Sequence, residues 1–125
     1  MQVKLSSIRA LFETVFCPII LLTPGFLPAQ VLGQSDAEFF SHEIRPIMER
    51  TCWNCHGEAV KSSGLDLSTR EAALEGGNRG PAIVPGNAEE SRLFRQLAGL
   101  EGPQMPLGVP LADEDVEKFR VWINN

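Results

Sequence analysis

Phe40, Ile44, Ile47 and Met48 recur at i, i+4, i+7 and i+8, which places them on one face of a helix. Ser35 or Asp36 is an N-cap candidate for a first helix through 37–50, with Pro46 either kinking it or opening a second segment. Ser68-x-x-Glu71 has the form of a capping box for a short helix through Leu74, stopped by Gly76-Gly77. Asn87-x-x-Glu90 predicts the cap of a third helix, with Leu93, Phe94 and Leu97 on its inner face and an end at Gly99. A last helix is predicted after Leu111, which can staple onto Val116, while Asp113, Glu114 and Asp115 favour its positive N-terminus. Its buried side is Val116, Phe119 and Ile123, with Trp122 on the flank. The stretch 78–86 is too rich in Gly and Pro for a regular element. No segment alternates with period two, so the pattern predicts an all-α fold.

Residues 1–33 follow a different logic. Lys4 and Arg9 precede an apolar centre over 15–27, and small residues follow, which is the layout of a secretory signal peptide. Removal after Ala29 and removal after Gly33 fit equally well, leaving a domain of about 34–125. The alternative is an uncleaved anchor over residues 11–32, which Pro18 and Pro24 would kink without preventing. Either version exports the rest, so the expected location is the periplasm, with a membrane contact only if the segment stays. Cys17 lacks the preceding Leu and small residues of a lipoprotein signal and reads as an apolar residue of the discarded segment.

Charge and length narrow the function classes. The 125 residues carry 11 Lys+Arg against 16 Asp+Glu, a net charge of −5, and the cations are scattered singly. Such a chain has no stripe to track a phosphate backbone, which argues against nucleic acid as a partner. With 11 Gly and 9 Pro in the full chain, so short a domain builds only a modest core, and a crosslink or cofactor would help it.

Cys52-Trp53-Asn54-Cys55-His56 is C-x-x-C-H, the attachment signature of c-type haem. Thiols three residues apart lie on one side of a helical turn, where they can add to the two vinyl groups of haem. The adjacent His56 would then supply the proximal ligand to the iron. A thioredoxin-like redox pair would need a βαβ setting, whereas an amphipathic segment precedes this motif and a polar loop follows it. A zinc site would need further ligands, yet there is no second C-x-x-C and just one other His. The opposite side of the iron has three candidates: Met48, Met105 and His42. Met48 belongs to the apolar helical stripe and reads as core, and His42 reads as a solvated helix residue. Met105 lies in Gly102-Pro103-Gln104-Met105-Pro106-Leu107-Gly108, where flanking prolines would hold the backbone extended across a haem face. It is the distal ligand expected here. Arg70, Arg79 and Trp53 are weaker candidates for propionate contact and read first as surface or packing residues.

In combination, these motifs resemble the planctomycete-type cytochrome c domain, a branch of the mono-haem class I cytochromes c. The resemblance rests on Phe39-Phe40, Ile44-Arg45-Pro46-Ile47, Cys52-x-x-Cys55-His56-Gly57 and Gly64-Leu65-Asp66-Leu67. It continues through Arg70-Glu71-Ala72-Ala73-Leu74, Gly76-Gly77, Gly80-Pro81-Ala82-Ile83-Val84-Pro85-Gly86, Glu90-Ser91-Arg92-Leu93, Met105-Pro106 and Trp122-Ile123. It implies a small cytochrome c-like helical bundle around one covalent haem c, with the first and last helices crossing. It also implies Cys52 and Cys55 as covalent attachment points, His56 as proximal and Met105 as distal ligand. The family usually has a second proline where Leu107 stands, and the domain is commonly the N-terminal module of a longer protein.

The expected function is single-electron transfer between redox partner proteins, cycling Fe(III)/Fe(II), rather than catalysis. Two strong axial ligands leave no open coordination site for bond-making chemistry. The competing reading is a haem-based sensor or small-ligand binding module in which Met105 is displaceable, supported by the Leu107 departure. A haem-stapled docking domain without redox activity is the third.

Overall fold

A computed structural model describes residues 35–125; the signal-peptide or anchor segment, with both cleavage positions, lies outside the described residues. Ser35 caps the first helix reciprocally: its hydroxyl accepts the Glu38 amide, and the Glu38 carboxylate accepts the Ser35 amide. From this cap α1 (Asp36–Phe39) passes into a π-helical turn over Phe40–Ile44 and then into α2 (Arg45–Thr51). The π turn sits where Pro46 requires a change of register. Pro46 has no N–H for an i−4 bond, and immediately before it the Arg45 amide reaches back to Phe40 O, five residues away. Pro46 thus stands in the first turn of α2, the second of the two expected roles.

The elements that follow are short. They are α3 (Trp53–His56), a 3₁₀ turn at Ser62–Gly64, α4 (Arg70–Glu75), α5 (Arg92–Leu97) and the longer α6 (Asp113–Asn124). Among the described residues there is no strand, just isolated bridges at His56–Lys61 and Gly77–Gly80, so the fold is all-α.

Two caps differ from the sequence expectation. The N-cap of α4 is Thr69, whose hydroxyl accepts the Ala72 amide at 3.2 Å, and not Ser68. Ser68 is already engaged with Asp66, through its amide at 2.8 Å and its hydroxyl at 2.6 Å. Similarly, Asn87 accepts the Glu90 amide at 3.2 Å in a turn that precedes α5 rather than capping it. The N-cap of α5 is Ser91, fully buried, which accepts the Val84 amide and donates to Asn87 O, both at 2.8 Å. Its hydroxyl is spent on tying down the 84–87 loop, so it makes no side-chain cap.

The core joins the N-terminal helical segment to α6 and α5. Ile44, Ile47 and Met48 are buried with Phe119 and Ile123 of α6 and with Leu93, Phe94 and Leu97 of α5, the face expected from its sequence. Phe40 and Trp122 lie 5.3 Å apart by ring centroid, and Phe119 meets Trp122 edge-on at 6.2 Å. Arg50–Asp115 at 2.9 Å and Lys118–Glu43 at 3.3 Å tie the same two segments at the surface.

Backbone bonds hold the irregular 78–86 stretch between three helices: Ala82 N to Ala73 O, Leu93 N to Ala82 O, and Gly86 N to Ile123 O. Gly76 begins this path with φ +81°, and a Cβ there would lie 2.0 Å from Gly80 O. A glycine is therefore required on both conformational and steric grounds.

Candidate functional site

Cys52 closes α2 by donating its amide to Met48 O at 2.8 Å, and then opens α3 by accepting the His56 amide at 2.8 Å and the Cys55 amide at 3.1 Å. One turn thus carries both thiols and the imidazole. Gly57 ends it, with a backbone so close to the motif that a Cβ would lie 2.5 Å from Trp53 O.

Both cysteines are free thiols; Cys52 is buried and Cys55 exposed. The Thr51 hydroxyl, 2.6 Å from Ile47 O, also lies within hydrogen-bond distance of the Cys52 sulfur at 3.4 Å. Burial pushes the Cys52 thiol pKa up, and Thr51 and Arg50 pull it partly back.

Behind α3 runs the segment 65–68. Leu67 donates its amide to His56 O at 2.8 Å and accepts the Trp53 indole N–H at 3.0 Å. Asp66 fixes this segment: besides the two bonds from Ser68, it pairs with Lys61 at 2.9 Å. Those partners lower the Asp66 pKa to about 2, Ser68 and then Lys61 contributing most. This clamp is not evident from the sequence. Its signal is an Asp followed two residues later by Ser, a short-range turn pattern that is common on surfaces.

Met105 comes from a separate segment. After Gly99, with φ +71°, the chain folds back along α5, and Met105 N bonds Gln96 O at 3.0 Å. The thioether residue is partly buried against the core, whereas Leu107 is exposed.

Cys52, Cys55, His56 and Met105 line one cavity of about 430 Å³. Its apolar walls include Leu65, Leu67, Leu93 and Leu97, and its polar lining includes Asn78, Arg79, Arg92 and Gln96. The other sixth-ligand candidates lie elsewhere. Met48 is buried in the core and lines a separate cavity with Phe40 and Trp122, and His42 is exposed on the π turn. Trp53 is spent on Leu67 O with Arg45 over its ring at 6.0 Å, and Arg70 lines the separate cavity. Of the three weaker candidates, Arg79 alone lines the Cys-His-Met cavity; Arg92, Asn78 and Gln96 were not singled out from sequence.

The donor chemistry fits a covalent haem. Two unpaired thiols share a wall with an imidazole whose Nδ1 is buried with no hydrogen-bond partner, and a thioether lines the same space. Among the described residues no three His, Cys, Asp or Glu side chains form a group able to hold a metal ion directly.

Comparison with known families agrees. Residues 52–106 match planctomycete cytochrome C. The match opens on Cys52 and ends on Pro106, so it spans the two thiols, His56 and Met105, and it leaves the first helical segment and α6 outside. No curated protein and no solved structure matches the chain. Similarity to a cytochrome c family over this stretch suggests a haem-binding type of domain, and fits an electron-transfer protein rather than an enzyme.

Proposed function

We propose that the chain is an exported mono-haem c-type cytochrome that carries single electrons between partner proteins. Cys52 and Cys55 hold haem c through two thioether bonds, His56 is the proximal ligand to its iron and Met105 the distal one. The observation that carries this reading is the meeting of these four side chains in one cavity, with Met48 and His42 outside it.

When bound, haem supplies a one-electron Fe(III)/Fe(II) couple. The protein's own residues tether, orient and cover it. The α3 turn sets the two thiols and the imidazole relative to one another, and the Leu67 amide fixes the His56 backbone from behind. Met105 is held by its amide bond to Gln96 O, so the thioether comes on a tied loop and not on a free one. Filling both axial positions disfavours substrate binding at iron and leaves outer-sphere transfer, and a thioether ligand raises the potential. Export follows from the layout of residues 1–33; retention of 11–32 would tether the domain to the membrane.

The test is a pair of substitutions. Met105→Ala lowers the reduction potential and lets carbon monoxide bind the reduced protein, whereas Met48→Ala destabilises the fold without opening the site. Carbon monoxide binding by the unsubstituted reduced protein at neutral pH would favour a ligand sensor instead.

A further inference from the structure

One part of the Cys-His-Met cavity carries charge of a single sign. Arg79 and Arg92 line it, and among the described residues no Asp or Glu does, in a chain whose net charge is −5. Both guanidiniums reach a carboxylate outside the lining. Glu101 accepts from Arg92 Nη1 at 2.7 Å, Arg79 Nη2 at 3.1 Å and Arg95 Nε at 3.3 Å.

Three guanidiniums on one carboxylate leave positive charge in excess, and like charges gathered this closely repel. Arg92 adds a second sign of incompleteness: its Nε is buried with no hydrogen-bond partner. A guanidinium carries five donors in a planar fork that suits a carboxylate, and an unpaired buried donor costs its desolvation.

We propose that Arg79 and Arg92 form a carboxylate-binding subsite of this cavity that takes a haem propionate, with Glu101 as the brace that holds both guanidiniums in place. The inference rests on the haem reading above and adds to it the recognition of the ligand's charged edge. Leu65, Leu93 and Leu97 line the cavity for the apolar part of the macrocycle, and the two arginines take its ionised part. The cations also offset the carboxylate's negative charge, which otherwise favours the ferric state.

The experiment compares the unsubstituted protein with Arg79→Gln, Arg92→Gln, Glu101→Gln and, as a charge control, Arg120→Gln, whose side chain pairs with Glu117 on α6. All are matured with haem, and covalent attachment is read first by haem stain on a denaturing gel. The propionate-bending bands of the resonance Raman spectrum and the reduction potential are then measured. Arg79→Gln and Arg92→Gln shift the propionate bands and lower the potential. Glu101→Gln shifts the same bands and raises the potential, while Arg120→Gln leaves the bands where they were. Arg79 is about half exposed, so its variant is expected to fold and reads the proposal even where Arg92→Gln fails to mature. Unmoved propionate bands in a haem-loaded Arg79→Gln protein would overturn the subsite alone. Failure of the unsubstituted protein to attach haem would overturn the haem reading and the subsite with it.

Discussion

Asp66 shows how a residue remote from the expected chemistry can govern it. It accepts from Ser68 and Lys61, and through the adjacent Leu67 it holds the backbone on which His56 rides. Its pKa falls from an ordinary 3.8 to about 2, so folding favours the ionised form. The stabilisation is therefore complete above the unfolded value and is lost as pH falls through about 2. Urea unfolding across the acid range should show stability declining below about pH 4 in the unsubstituted protein, and Asp66→Asn should flatten that part of the profile. An equal acid slope in the variant would remove Asp66 from this role. At this scale the donors were legible and their supports were not. C-x-x-C-H and a methionine between prolines announce chemistry by residue type. Asp66, Ser91 and Arg92 look like ordinary polar residues until the fold shows what they face.

At the scale of elements, periodicity and cap motifs located every described helix longer than a turn but misplaced two caps, the first through competition for a hydroxyl group. Ser68 and Thr69 are adjacent and chemically interchangeable as caps, and Asp66 decides between them by capturing Ser68. Thr69→Ala should thus cost about 1 kcal/mol as a lost N-cap. Ser68→Ala should instead weaken the acid-sensitive Asp66 clamp. Urea midpoints at neutral and acid pH separate the two, and equal losses with the same pH dependence would contradict the assignment. Gly76→Ala should cost more than about 1 kcal/mol, because the residue sits at φ +81° and its Cβ would meet Gly80 O. The π turn was foreseen just as an interruption at Pro46. A missing N–H marks where a ladder must change, but packing of the Phe40 and Ile44 face on α6 decides that it widens and continues rather than breaks.

For the whole molecule, the core lies largely between the first helical segment, α5 and α6, with Phe119 fully buried at its centre. Phe119→Ala should destabilise by about 3–5 kcal/mol in urea unfolding. The second half of the fold is built differently. From Gly57 to Gly86 the chain is mostly turns joined by single backbone bonds, and it encloses one side of the cavity that holds Cys52, Cys55, His56 and Met105. That division explains why the all-α class and the four candidate residues could be read from the sequence. Of the arginine edge the sequence offers Arg79 as a weak candidate and gives no sign of Arg92, because their meeting depends on how loops and α5 approach one another. The most direct measurement is a haem stain on a denaturing gel, joined to the oxidised absorption spectrum, for protein matured in a cytochrome c assembly strain. The account predicts haem that survives denaturation, is lost in a Cys52→Ala/Cys55→Ala protein, and shows the weak far-red methionine-to-iron band. A protein that folds and is exported but retains no haem on the gel would contradict it.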